Sequence, residues 1–303
     1  MNAVVLLNKP KGFTSQEAVN KVKKILKVKK AGHAGTLDPM ATGVLLVCTN
    51  EATKITSFLM ELEKEYLFKA RFGVSTDTYD AEGKITKTVE NFELDRLKLE
   101  EVIKKFTGEI MQIPPMYSAK KVEGTPLYKL ARKGIEIERT PKKVTIYSIK
   151  IESFEPPFII FRVVCSKGTY VRSLCHDIGE EIGVGAHIIE LCRTRIGEFK
   201  VENSIDLKSL KEISNIKSLK DSSLSITKNG LISIDDALYF LPSVNIHNAL
   251  IKRFINGNPI RISSGVVPKG FLKVKDNKGK IVGIGYSNGL IIKPERIIWE
   301  EEL

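Results

Sequence analysis

The sequence predicts an α+β chain that ends in a small β-barrel. Two observations point there. Up to about residue 207, short apolar strand candidates alternate with amphipathic helical stretches. After Asn229 the texture changes to closely spaced strand segments separated by turns. One of these turns is Asn288-Gly289 between apolar runs, the strongest short-range hairpin signal.

The elements follow in chain order. Val4 to Leu7 reads as a short buried strand. Thr14 and Glu17 have capping-box spacing, in which each satisfies a backbone N–H of the other at a helix start. Ala18, Val19, Val22, Ile25 and Leu26 then share one face of that helix and leave its lysines on the others. Val44 to Cys48 is an apolar strand, Glu51 to Leu62 a helix, and Tyr66 to Phe72 a strand of alternating character. Leu99, Val102, Ile103 and Phe106 mark a helix ending near Gly108. Residues 110–143 are basic and irregular, broken by Pro114-Pro115 and by Gly124 and Pro126, and read as a functional excursion. Val144 to Ile151 and Phe158 to Val164 are strands. They lead through Ser166 to Arg172 into a helix with Val171, Leu174, Cys175, Ile178 and Ile182 on one face. Lys208 to Asn229, rich in Ser, Lys and Asn, reads as a linker or a loose surface helix. A short helix near Ile246 to Ile255 precedes the terminal strands, and residues 276–279 supply a further turn.

Composition narrows the function classes. The chain carries 48 Lys and Arg against 36 Asp and Glu, a net charge of +12. Such an excess suits a polyanionic partner. Residues 21–30 alone hold six lysines, and Lys120, Lys121, Arg132, Lys133, Arg139, Lys142 and Lys143 add further basic spots. The charge is spread over several elements rather than along one amphipathic helix, which favours nucleic acid over a membrane surface. No apolar run is long enough to span a bilayer and the N-terminus lacks a signal-peptide pattern, so a cytoplasmic location is expected. The four cysteines, Cys48, Cys165, Cys175 and Cys192, form no Cys-x-x-Cys pair and have no metal-ligand spacing to histidine.

The run from Gly32 to Gly43 (GHAGTLDPMATG) is the most informative local feature. Its glycines allow tight turns and close approach of the backbone to a ligand. Asp38 precedes Pro39, which disfavours helical geometry at Asp38. Two readings fit. Asp38 caps a helix that starts at Pro39, the commoner outcome for so short a pattern, or it is a fixed carboxylate aimed at a ligand. Two further segments offer partners: Lys64-Glu65-Tyr66, and Gly168 to Arg172 with Tyr170 between them. An arginine against a buried carboxylate keeps it ionised, and an ionised, oriented carboxylate acts as nucleophile or base. Aromatic rings give a stacking surface for a base taken out of its helix. Each residue also has a plainer reading: core packing for Tyr66 and Leu191, a structural salt bridge for Arg172, a local hydrogen bond for His33. Three rival functions remain open on the residues alone. They are RNA binding without catalysis, an aspartyl-phosphate enzyme using Asp38, and a thiol enzyme using Cys175 beside His176.

In order and spacing these segments resemble the bacterial tRNA pseudouridine-55 synthases of the TruB type. The likeness runs through Asn8 to Ser15, Gly32 to Gly43, Lys64 to Tyr66, Thr76 to Gly83, Gln112 to Lys120, Ser166 to Arg172 and Gly185 to Leu191. It implies a mixed, largely antiparallel sheet with flanking helices over residues 1–228, including the basic excursion, and a PUA-like RNA-binding barrel over 229–303. It also implies isomerisation of uridine 55 in the tRNA T-loop by base flipping, without cofactor or metal, in a monomer with no obligate protein partner. Asp38 matches the nucleophile, acting on either the uracil ring or the sugar carbon. Tyr66 matches the tyrosine that stacks on the flipped base and is a candidate for proton transfer at C5. Arg172 matches the arginine paired with the carboxylate, Tyr170 and Leu191 match pocket positions, and His33 matches a histidine that holds the opened loop. The Lys9 motif is expected to be structural. Cys192 stands where the family pattern has a basic residue beside Arg193.

Overall fold

The computed structural model describes residues 1–118, 121–122, 124–131, 133–214, 230–262 and 267–299. Ten strands form one mixed sheet. In chain order they are β1 (Val4–Lys9), β2 (Ala31–His33), β3 (Thr42–Thr49), β4 (Lys64–Phe72), β5 (Gly108–Gln112), β6 (Lys142–Glu155), β7 (Phe158–Cys165), β8 (Ala186–Ile196), β9 (Phe199–Lys200) and β10 (Leu231–Ile232). In space they run β10-β1-β3-β8-β4-β7-β6-β5, with β2 added to β3 and β9 to β8. Among the described residues the pairings are antiparallel except one. Cys192 and Arg193 of β8 run parallel to Thr42 and Gly43 of β3.

Both faces of the sheet are buried at β1 and β3, which explains their unbroken apolar runs. Val5, Leu7, Leu45 and Val47 point into a core shared with Ala18, Val19 and Val22 of the Ser15–Ile25 helix and with Leu174 and Ile178 of the Val171–Ile182 helix. Val4, Leu6, Val44 and Leu46 point the other way, toward Ile55 and Leu59. The capping box forms as expected: Thr14 Oγ1 accepts from Glu17 N, and Glu17 Oε2 accepts from Thr14 N at 2.8 Å.

Several expectations change. Pro39 starts no helix; Asp38 to Ala41 make a turn closed by Ala41 N donating to Asp38 O. The helix expected over Glu51 to Leu62 is a 3₁₀ stretch, Asn50–Ile55, followed by a short α-helix, Thr56–Glu61. The basic excursion begins as strand β5, which pairs with β6. Lys120 and Arg132, counted among its basic spots, lie outside the described residues, as do positions 215–229 of the expected linker. The start of that linker is the helix Leu207–Ser214.

A second sheet holds β11 (Ser243–Asn245), β12 (Ile260–Arg261), β13 (Gly270–Lys275), β14 (Ile281–Ser287) and β15 (Ile291–Ile297), in the order β11-β13-β14-β15-β12. Its end strands β11 and β12 do not pair with each other among the described residues, and the five strands fit half of the expected barrel. The Asn248–Ile255 helix covers it through Ile251 and Phe254. The division expected after residue 228 leaves β10 on the far side from its own sheet, since Leu231 and Ile232 pair with β1.

Candidate active site

The Asp38 turn is fixed on both sides by groups the sequence places far away. Ser15 Oγ accepts from Leu37 N at 2.8 Å and donates to Leu37 O at 3.0 Å. Lys9, fully buried, donates from Nζ to Pro10 O, Phe13 O and Pro39 O. Burial lowers the Lys9 pKa to about 8, against the pull of Asp38. Through these bonds the Asn8–Ser15 run grips the residues before and after Asp38, which is what the motif does physically. Gly43, at the end of the loop, has φ +97, and a Cβ there would lie 2.2 Å from Arg193 O. Glycine is therefore required where β3 meets β8 at the parallel seam.

Arg172 meets this carboxylate from the first turn of its helix. Nε donates to Asp38 Oδ2 at 2.8 Å and Nη2 to Asp38 Oδ1 at 3.0 Å, a two-pronged pair. Its other N–H groups go to Tyr117 O at 2.8 Å, Thr78 O at 2.9 Å and Asp80 Oδ2 at 3.1 Å. All five guanidinium donors are thus used. The Arg172 and Asp80 side chains are each 5% exposed, while that of Asp38 is 33% exposed. The carboxylate is gripped from behind and open in front.

It opens into a cavity of about 680 Å³ whose lining includes Asp38, Tyr66, Tyr170, Arg172, Leu191 and Arg193. Sheet register explains the gathering. Arg193 of β8 lies opposite Tyr66 of β4, and Leu191 opposite Phe68. Tyr66 is 8% exposed. Burial raises its phenol pKa, and the charge of the Arg193 guanidinium pulls the other way. Burial also raises the Tyr170 phenol. Gln112 clips the Tyr170 backbone, accepting from its N at 2.7 Å and donating to its O at 3.0 Å.

Five of the six site residues read from the sequence therefore line one cavity. His33 does not; it sits on β2 opposite Val47. Burial, and then Arg193, lower its pKa, and its buried Nδ1 has no partner. Sequence reasoning assigned no role to Asp80, Gln112 or Arg193, although the first two fall inside quoted runs. The thiol alternative fails on geometry. Cys175 is 2% exposed in the core, with its pKa pushed up by burial. Among the described residues no three His, Cys, Asp or Glu side chains converge as metal ligands, and no helix is long and apolar enough to cross a membrane.

Residues 23–171 match the TruB family pseudouridylate synthase N-terminal domain, 172–238 the tRNA pseudouridylate synthase B C-terminal domain, and 242–298 the pseudouridine synthase II TruB C-terminal region. The chain belongs to the TruB family of pseudouridine synthases. It is 42% identical over 285 residues to the tRNA pseudouridine synthase B of Clostridium tetani, spanning 94% of this chain and 95% of that one. It is also 42% identical over 300 residues to the protein of that name from Caldanaerobacter subterraneus, spanning 98% and 99%. Among solved structures it resembles a chain of a Cbf5-Nop10-Gar1 complex, with TM-score 0.74 and 28% identity over 98% of this chain and 85% of that one. A chain of an H/ACA RNP bound to a substrate RNA containing 2′-deoxyuridine gives TM-score 0.73 and 27% identity over 99% and 86%. The TruB fold seen here is the mixed, largely antiparallel sheet with flanking helices that the resemblance implied.

Proposed function

We propose that the chain isomerises uridine 55 in the T-loop of tRNA to pseudouridine, with Asp38 as nucleophile. One observation carries the reading: a carboxylate gripped by a buried arginine faces a cavity that also presents Tyr66. The relatives' names supply tRNA as the substrate. A base stacked inside a folded loop cannot meet a carboxylate at the cavity wall, so it must flip out, at a cost of a few kcal/mol. Tyr66 offers a ring face to the flipped uracil, with Tyr170 and Leu191 as walls. The ionised Asp38 attacks either the ring or the sugar carbon. The N1–C1′ bond breaks, the ring turns, C5 joins C1′, the Asp38 carboxylate is released and N1 takes up a proton. The C5 proton then leaves, with the Tyr66 phenol as its candidate carrier. No step calls for a cofactor or metal.

His33, outside the cavity wall, is assigned to hold the opened loop near the place the base vacates. The six lysines between positions 21 and 30 are all exposed and offer phosphate contacts. Residues 1–241 are assigned to the synthase unit and 243–298 to a PUA-like RNA-binding module. The chain is assigned to the cytoplasm, acting as a monomer.

The test is Asp38→Asn. Release of tritium from C5-labelled uridine in tRNA is expected to fall roughly a thousandfold or more, while tRNA retention on a filter survives. Full tritium release by this variant would overturn the proposal.

A further inference from the structure

Arg193 is a buried cation without a carboxylate. It is 1% exposed, and no ion pair among the described residues includes it. Nε donates to Val44 O at 2.7 Å, Nη2 to Gly35 O at 3.1 Å and Nη1 to Thr36 O at 3.4 Å. Arg193 lies opposite Tyr66 across the β8–β4 pairing, and both line the cavity. A charge taken out of water and met only by neutral oxygens is costly. A neutral amide could donate to two of these three carbonyls without that cost, so tying the loop does not by itself explain the charge. Arg172, by contrast, is balanced by two carboxylates. The cavity thus has one neutralised arginine and one whose field is open. Lys9, His33 and Lys64 all feel that field, which, after burial, pushes each toward its neutral form.

We infer that Arg193 stabilises the negative charge that uracil carries while it is detached from the ribose. The inference rests on the isomerisation proposed above. When N1–C1′ breaks, the bonding pair stays with uracil and spreads over N1, O2 and O4, and the electron-poor C1′ is met by Asp38. If Asp38 adds to the ring first, the C5–C6 π pair moves onto C5 and O4. Either order places an anion on the ring beside Tyr66 and within reach of the open guanidinium. Bonding of C5 to C1′ spends that pair, and the Asp38 carboxylate leaves C1′ or the ring with its own bonding pair. Loss of the C5 proton and protonation of N1 then complete an isomer with no net gain or loss of atoms or electrons. A fixed cation placed where charge develops, in a site shielded from water, is an effective source of transition-state stabilisation.

The experiment compares tRNA carrying uridine with tRNA carrying 5-fluorouridine at the target position, under single turnover with the full-length chain. Fluorine acidifies the ring and stabilises the same anion by itself. It blocks the later proton loss but not bond cleavage, so disappearance of the parent nucleoside is the readout. Arg193→Gln is expected to slow uridine about a hundredfold but 5-fluorouridine only about tenfold. Arg193→Lys, which keeps the charge and loses the fork, slows both by about tenfold or less. Binding of tRNA stays within about threefold throughout. Equal deficits of Arg193→Gln on the two bases, or no deficit, overturn the inference. Arg193→Met is the second neutral variant, should the glutamine variant not fold, because it removes the buried charge outright. Asp38→Asn is run alongside. If it retains full rate, the isomerisation reading itself fails; if it is inactive while Arg193→Gln gives equal deficits, the role of Arg193 alone fails.

Discussion

Asp80→Asn separates the two sides of the grip on Arg172. Asp80 is 4% exposed. Its Oδ2 accepts from Arg172 Nη1 at 3.1 Å, and its Oδ1 accepts from Thr78 Oγ1 at 2.6 Å and from Glu82 N at 3.0 Å. Asparagine keeps the shape and the Oδ1 contacts. It loses the charge and turns an NH₂ toward a guanidinium N–H, so one charge-assisted bond is replaced by two opposed donors. Such a bond contributes about 1.5–3 kcal/mol. Breaking a buried pair outright costs about 3–5 kcal/mol. Because Asp38 still balances Arg172, the lower range applies, and about 2 kcal/mol of stability should go. That corresponds to a melting point lower by about 4–8 °C. The catalytic cost comes from aim: an arginine no longer held from behind lets Asp38 drift, and a misplacement of about 1 Å costs on the order of a hundredfold in rate. Urea unfolding and single-turnover tritium release, measured where the variant is fully folded, check both numbers. An Asp80→Asn protein that melts and turns over like the parent would show that Asp80 does not hold Arg172 in place.

Two further outcomes follow from the geometry. Gly43→Ala forces a side chain into the left-handed region and against the Arg193 backbone at 2.2 Å. It should lose roughly 3 kcal/mol or more in a denaturant titration, and parental stability would mean the parallel seam is softer than drawn. Asp177, on the Val171–Ile182 helix, has its pKa pushed up to about 6 by burial and by Glu180. A carboxyl whose folded pKa exceeds its unfolded value weakens the fold as pH rises between the two. Asp177→Asn should therefore be more stable than the parent by about 2 kcal/mol around pH 8, with the gap closing below about pH 4. A gap that does not change across that range would contradict the assignment.

Local chemistry is readable where one element decides it. Thr14 and Glu17 announce their helix because the capping box is a contact within four residues. β8 is not readable in that way. It is buried mostly by its neighbours, its register shifts twice along β4, and Arg193 sits inward where a strand of period two should carry an apolar residue. β10 is two residues long and gains meaning only from its pairing with β1. At the site, residues as far apart as Asp38 and Arg172 meet through the fold, so no local pattern joins them. The family likeness supplied that pairing, whereas Asp80 and Arg193 emerge only from the folded chain because their roles are defined by what they touch.

The second sheet does not hang from the first by a tether. Ile284 and Ile298 are buried in the same apolar cluster as Ile55 and Leu59, and Lys54 Nζ donates to Ile297 O at 2.6 Å. Lys273 and Lys275 both clasp Asp235. The two halves therefore behave as the jaws of a fixed calliper. If the C-terminal sheet grips RNA as proposed, that RNA would meet Asp38 at a set span, and a loop carried at the wrong distance along its stem would not bring its uridine to the carboxylate.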